Sequence, residues 1–212
     1  MKRFTPTPTL VTGALAVLAL ATLAATPSWG AGATTQSSDL LTFAGFQDVG
    51  DAWLLRTGHG VSARAAAEDL EPGVYTVWWV VWNNPEACGA DGCTDADFGA
   101  PDVDVDIGYA AGRVVEGDGP TTFAAHLSEG EDLAGFPTEF GIASGSGLLD
   151  AGSAEIHLVI RSHGEKIPGL VAGMVHTFNA GCRYDVFPVA VPPLYGTPGP
   201  NLCEDVIFTV FE

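Results

Sequence analysis

Six aspartates fall within the sixteen positions from Asp91 to Asp106, DGCTDADFGAPDVDVD. Carboxylates at this density are raw material for a calcium site, which takes six to eight oxygens at about 2.6 Å or less. The EF-hand order fails, however. Counted from Asp95, the sixth position is Ala100 where glycine is required, and the twelfth is Asp106 rather than glutamate. Counted from Asp102, those positions hold Ile107 and Arg113. Asp102, Asp104 and Asp106 alternate as on a strand, where neighbours on one face lie about 7 Å apart and the outer pair about 13 Å apart. One ion bridges two of them at most. The better cation candidates are Asp91, Asp95 and Asp97, gathered in a loop beside Cys88 and Cys93.

Histidine offers a second route, to zinc or copper. The candidates are His126, His157, His163 and His176. His157 and His163 share the segment AEIHLVIRSH, but six residues of strand span about 20 Å. A shared ion therefore requires one of them beside a histidine of a neighbouring strand. Of these metals, calcium or zinc is the cofactor expected. Neither Cys182 nor Cys203 is followed by the close His and Met of a blue-copper site. No C-x-x-C occurs, which argues against a cysteine metal site.

Other chemistry finds less support. Ser144 and Ser146 lie in IASGSGLLD without the G-x-S-x-G of a nucleophile elbow, so a turn is expected there. No phosphate loop or dinucleotide fingerprint occurs. Carboxylate pairs for glycoside cleavage are defined by their separation, which spacing along the chain does not give. Trp53, Trp78, Trp79 and Trp82 are a conceivable sugar platform, yet three of them sit in one apolar strand and read as core. No catalytic residue is assigned, and a binding or structural module with a protein or glycan partner is the expectation; a metal-binding protein or metal-dependent enzyme is the alternative, and a carbohydrate-binding module a further one.

The elements that must position these residues are mostly strands. Gly73 to Trp82, GVYTVWWVVW, is bounded by Pro72-Gly73 and Asn83-Asn84-Pro85, a strand between turns. Val77, Trp79 and Val81 occupy one face, and Trp78, Val80 and Trp82 the other. A strand apolar on both faces is covered on both, which argues against a membrane barrel, whose strands alternate apolar and polar. Asp102 to Tyr109 alternates, with Val103, Val105 and Ile107 inward and the aspartates outward. Further strands are expected at Leu40–Phe46, Arg113–Glu116, Thr121–Leu127, Ala154–Ser162, Met174–Asn179, Asp185–Val191 and Val206–Phe211. Ala63 to Leu70 suits a short helix or a strand, and Thr34 to Asp39 reads as a frayed polar lead. Short strands with turn signals between them give an all-β, antiparallel β-sandwich in a single domain over residues 34–212.

Ahead of that domain, Met1-Lys2-Arg3 is followed by an apolar run from Leu10 to Ala25 and by Ala31-Gly32-Ala33. Basic start, apolar middle and small-x-small site make a signal peptide over residues 1–33, cleaved before Thr34, with Ser28-Trp29-Gly30 the second candidate site. The run is shorter than the roughly 20 residues of a spanning helix. No later segment is apolar enough to span as a helix. A secreted protein, periplasmic or extracellular, is expected. The four cysteines then pair as two disulfides, and of three possible connectivities the sequence-local Cys88–Cys93 and Cys182–Cys203 are expected. The net charge is −18. Cleavage removes Lys2 and Arg3 and no acid, so the exported domain is more acidic still. Such a surface repels nucleic acid and anionic membranes.

The strings LEPGVYTVWWVVWNNPEAC from Leu70 to Cys88, AEIHLVIRSHG from Ala154 to Gly164 and TFNAGC from Thr177 to Cys182 resemble those of a group of secreted bacterial β-rich proteins of unknown function. The L-x-P-G-x-Y element with a later histidine-bearing strand is similar to CHRD-type secreted β domains. Both resemblances imply a secreted β domain, and neither supplies a functional residue.

Overall fold

Among the described residues, alternating side chains and close glycine turns produce eight antiparallel strands. The computed structural model describes residues 32–90, 92–117, 119–137, 141–183 and 197–212. The strands are β1 (Thr34–Thr42), β2 (Asp48–Thr57), β3 (Gly60–Ala67), β4 (Gly73–Trp82), β5 (Val105–Val115), β6 (Thr121–Ser128), β7 (Glu155–Ser162) and β8 (Glu204–Phe211). One helical turn, α1 (Val171–Met174), lies between β7 and β8, and two 3-10 turns, Pro85–Ala87 and Asp95–Asp97, lie between β4 and β5.

The strands run in the order β5-β4-β7-β8-β1-β2-β3-β6, and every pairing is antiparallel. β8 and β1 are paired only through Leu41 with Phe208 and Thr42 with Ile207. At that narrow seam the sheet folds over, and its halves become the two layers of a sandwich. Ala63 and Ala65 of β3 and Phe123 of β6 face Val77 of β4, Ala111 of β5 and Leu158 of β7 around a gap of about 10 Å³, room for about one water. The alanines let the layers approach this closely. At the far edge the Arg113 guanidinium of β5 donates to the Thr122 carbonyl of β6, giving the sandwich a barrel-like closure.

All ten residues of β4 are buried. Val77, Trp79 and Val81 enter the core between the layers. Val80 and Trp82, on the outer face, are covered by the loops that carry Cys93, Phe98, Val103 and Ile142. Each tryptophan so buried removes roughly 150–250 Å² from water, which explains why both faces of this strand require a cover. The segment after α1 covers β5 in the same way. A Cβ at Gly112 would collide with the Val175 carbonyl, the same oxygen that accepts the Tyr109 hydroxyl at 2.8 Å.

Several expectations change. Thr34 to Asp39 is ordered in β1, paired residue by residue with β2 from Thr34–Arg56 to Asp39–Asp51. Ala63 to Ala67 belongs to a strand, held on both sides by β2 and β6. β2 was not expected, because Gly50 and Asp51 mask its alternation. Phe43 to Phe46 forms the turn after β1 instead of continuing it. Met174 to Asn179 is no strand: Thr177 and His176 return their amides to the Gly173 carbonyl, both at 3.0 Å, closing local turns that compete with a ladder. Asp185–Val191 lies outside the described residues, as does the segment 1–31. Both sequence-local disulfides are present, with Cα separations of 5.0 Å for Cys88–Cys93 and 5.4 Å for Cys182–Cys203.

Candidate functional site

Among the described residues, two places anchored on β7 bring a buried or nearly buried histidine together with other groups that could bind a ligand. The first surrounds His163, one residue beyond the end of that strand. Its amide donates to the Val74 carbonyl at 2.8 Å, and Val74 returns its amide to the Gly164 carbonyl at 2.9 Å. The imidazole is thereby drawn across the start of β4 and is fully buried. The Trp78 indole, a donor only, reaches Thr76 Oγ1 at 2.8 Å. That hydroxyl lies 2.9 Å from His163 Nε2, and Nδ1 lies 3.0 Å from the Ala180 carbonyl, an acceptor only. The two ends fix the proton: Nδ1 carries it, and Nε2 accepts from Thr76. The ring is neutral. Burial pushes its pKa down to about 4, with the nearby Arg161 charge acting in the same sense and the Ala180 bond opposing.

The sulfurs of Cys182 and Cys203 each lie 3.8 Å from His163 Nδ1. Among the described residues, His163, Cys182 and Cys203 are the group of three metal-ligating side chains that converges, all ligand atoms lying within 4.8 Å of one another. The two sulfurs are bonded to each other, so the arrangement holds no thiolate.

The second place is a cleft of about 500 Å³ lined by Pro85, Ala90, Gly92, Glu155 and Glu212. Its walls are the loop closed by Cys88–Cys93 and the ends of β7 and β8. Glu155 and His157 project from one face of β7, two residues apart, and Glu155 Oε1 lies 2.5 Å from His157 Nε2. Their side chains are only 9% and 14% exposed. Trp82 pairs with Glu155 across the β4–β7 ladder, stacks on Phe98 at 5.1 Å and lies 5.7 Å from the His157 ring. The Trp82 indole nitrogen has no hydrogen-bond partner among the described residues. Glu155 and Glu212 thus set two carboxylates on the wall of the cleft, an arrangement suited to a cationic group, while the Trp82 ring stays buried.

The residues expected from the sequence are distributed otherwise. Asp91 lies outside the described residues. Asp95 and Asp97 begin and end a 3-10 turn, and Asp97 accepts from the Thr94 amide and hydroxyl at 2.9 and 3.1 Å. Of the alternating aspartates only Asp102 is exposed. Asp106 is 1% exposed and accepts from the Gly147 amide at 2.7 Å and the Gly145 amide at 3.2 Å, pinning the turn around Ser146. The outward face expected for it is covered by that turn. His126 is exposed and lies between Ser62 Oγ at 2.9 Å and Ser128 Oγ at 3.4 Å. His176 is exposed and bonds the Ala172 carbonyl at 2.8 Å. His157 has Glu155 for a partner, and His163 has Thr76. Trp78, Trp79 and Trp82 are each 1% exposed, which removes them as a sugar platform, and Trp53 lies under the Arg64 guanidinium.

Glu155 and Glu212 were not singled out in the sequence. The signal for Glu155 was present, since it stands two residues before His157 and so on the same strand face. Glu212 carried none, because its place beside Glu155 depends on the β7–β8 pairing. No family model matches the chain, and no curated protein or solved structure matches it.

Proposed function

We propose that this chain is an exported, acidic β-sandwich that acts by binding rather than by catalysis, and that its ligand presents a cationic group to the Glu155 cleft. The observation that carries the reading is the Glu155 carboxylate, nearly buried, oriented by His157 and facing a cleft with Glu212 on its wall. A buried charge that is oriented and left facing an opening favours a counter-charge there, where screening by water is weaker than on the open surface.

Export is supported by the signal-like residues 1–33, by the two disulfides and by the start of β1 at Thr34, the residue after the expected cleavage site. Among the described residues no helix is long and apolar enough to cross a membrane. The charge of −18 disfavours nucleic acid as a partner and favours basic ligands.

Calorimetric titration of the purified chain with spermidine and with acetyl-arginine amide tests the reading. Saturable one-to-one binding that Glu155→Gln weakens at least tenfold supports it. Binding that is equal in the wild type and Glu155→Gln overturns it.

A further inference from the structure

We infer that reduction of the Cys182–Cys203 bridge converts the cluster around His163 into a zinc site. Its ligands are the Cys182 and Cys203 thiolates and His163 Nδ1. The inference is independent of the Glu155 cleft.

The geometry is close to what zinc takes. Tetrahedral zinc with Zn–S bonds of about 2.3 Å and Zn–N bonds of about 2.0–2.1 Å separates nitrogen from sulfur by roughly 3.6 Å, and sulfur from sulfur by roughly 3.8 Å. Both nitrogen–sulfur edges already measure 3.8 Å. The sulfur–sulfur edge has to open, and the Ala180 carbonyl, 3.0 Å from Nδ1, has to yield its place there to the ion. All three residues are buried, so the ligands meet in a site where water competes poorly. The imidazole is held neutral, as a metal ligand must be. Soft thiolates with imidazole select zinc over calcium or magnesium.

The steps balance. A dithiol reductant supplies two electrons, the Cys182–Cys203 S–S bond breaks, two thiols form and the reductant closes its own disulfide. Zinc then displaces the two thiol protons, which are released to solvent. The Nδ1 proton also leaves, and Nε2 takes one up, so the imidazole stays neutral in its other tautomer. Thr76 Oγ1, now 2.9 Å from Nε2, then accepts a hydrogen bond from the new Nε2–H beside the one from the Trp78 indole, and its own hydroxyl has to turn away from the ring. Metal-bound histidines commonly donate their second N–H to such a partner. Three protein ligands leave the fourth zinc position open.

The Cys88–Cys93 pair has no histidine in such an arrangement among the described residues, which makes it the internal control. The chain lacking residues 1–33 is reduced with a phosphine and titrated with Co²⁺, then with Zn²⁺, while the tryptophan near-ultraviolet spectrum monitors the fold. The inference predicts one Co²⁺ per chain with thiolate charge-transfer and tetrahedral ligand-field bands, bleached by Zn²⁺ and absent from the oxidised protein. Zn²⁺ protects Cys182 and Cys203 from alkylation, read by peptide mass spectrometry, whereas Cys88 and Cys93 react. His163→Ala weakens Co²⁺ binding at least tenfold, and the double variant Cys88→Ser/Cys93→Ser leaves it unchanged. The alkylation map requires no variant and stands even where His163→Ala does not fold. Equal metal binding by oxidised and reduced chains, protection of Cys88 and Cys93 instead, or a reduced chain that stays unfolded with Zn²⁺ present overturns the inference.

Discussion

The Thr76 hydroxyl donates to His163 Nε2 across 2.9 Å while itself accepting from the Trp78 indole at 2.8 Å. This chain of donors runs from the outer face of β4 to the loop that carries the Cys182–Cys203 bridge. It fixes one neutral tautomer in a site without water access. A proton added at Nε2 would leave Thr76 with two donors directed at it and its own hydroxyl without this acceptor.

A pH dependence follows for His163. Its ordinary value is 6.5 and burial pushes it down to about 4. Above about pH 6.5 folded and unfolded chains are both neutral at this ring. As pH falls from 6.5 toward 4, only the unfolded chain takes up the proton, so stability falls by up to about 1.4 kcal/mol per pH unit. The loss totals about 3 kcal/mol and ends once the folded ring also protonates. Urea unfolding at pH 7.5, 5.5 and 4.5 should show His163→Asn less stable than wild type at pH 7.5, with the gap narrowing as pH falls. A gap that does not vary with pH contradicts the assignment.

Arg56 ties the two layers together. Its guanidinium donates to the carbonyls of Ala151, Ala154 and Phe211 at 2.9, 2.8 and 3.2 Å, and Nε donates to Gln36 at 2.6 Å. Lysine cannot reproduce that fork. Arg56→Lys and Arg56→Ala should both lower stability, the second by about 3 kcal/mol, since each buried acceptor stripped of its donor costs roughly 1–3 kcal/mol. Urea denaturation checks this, and a change under 0.5 kcal/mol, about the scatter of ordinary surface substitutions, speaks against it.

Asp106 holds the 144–147 turn by charge-assisted bonds to backbone amides. Asp106→Ala leaves the Gly145 and Gly147 amides without this acceptor and should cost about 3 kcal/mol. Cleavage by a nonspecific protease should move to this turn. Asp106→Asn retains one acceptor oxygen and should fall between the two. Unchanged cleavage in Asp106→Ala would show that the turn is held by other contacts.

The export reading predicts a processed chain. Expressed with its first 33 residues in a secreting bacterial host, the protein should be recovered outside the cytoplasm beginning at Thr34, with all four cysteines resistant to alkylation until reduced. Amino-terminal sequencing and mass spectrometry read both outcomes. An unprocessed chain in the cytoplasm contradicts it.

The sandwich was legible where one physical signal dominated. β4 announced itself through aromatic and β-branched residues between two turn clusters, and its burial on both faces followed from having no polar side. β7 and β8 were read almost to their limits for similar reasons. β2 escaped because Gly50 and Asp51 interrupt its pattern, although pairing with both β1 and β3 holds it in place. The segment from Met174 to Asn179 misled because β-branched and aromatic residues also suit a loop lid over Trp78. The site was less legible. Glu155 and His157 share a strand face that spacing reveals, but the gathering of Glu155 and Glu212 about one cleft with Pro85, Ala90 and Gly92 requires the order of the sheet. The approach of His163 to Cys182 and Cys203 is likewise a product of tertiary contact, which no C-x-x-C spacing advertises. Asp106 looked like an outward residue because alternation gives the face and not what covers it.

Amide chemical-shift mapping during a spermidine titration tests ligand binding at the Glu155 cleft most directly. The predicted result is saturable shifts concentrated at Ala90, Gly92, Glu155 and His157, lost in Glu155→Gln. Shifts scattered over the acidic surface, or a pattern that Glu155→Gln leaves unchanged, would contradict it.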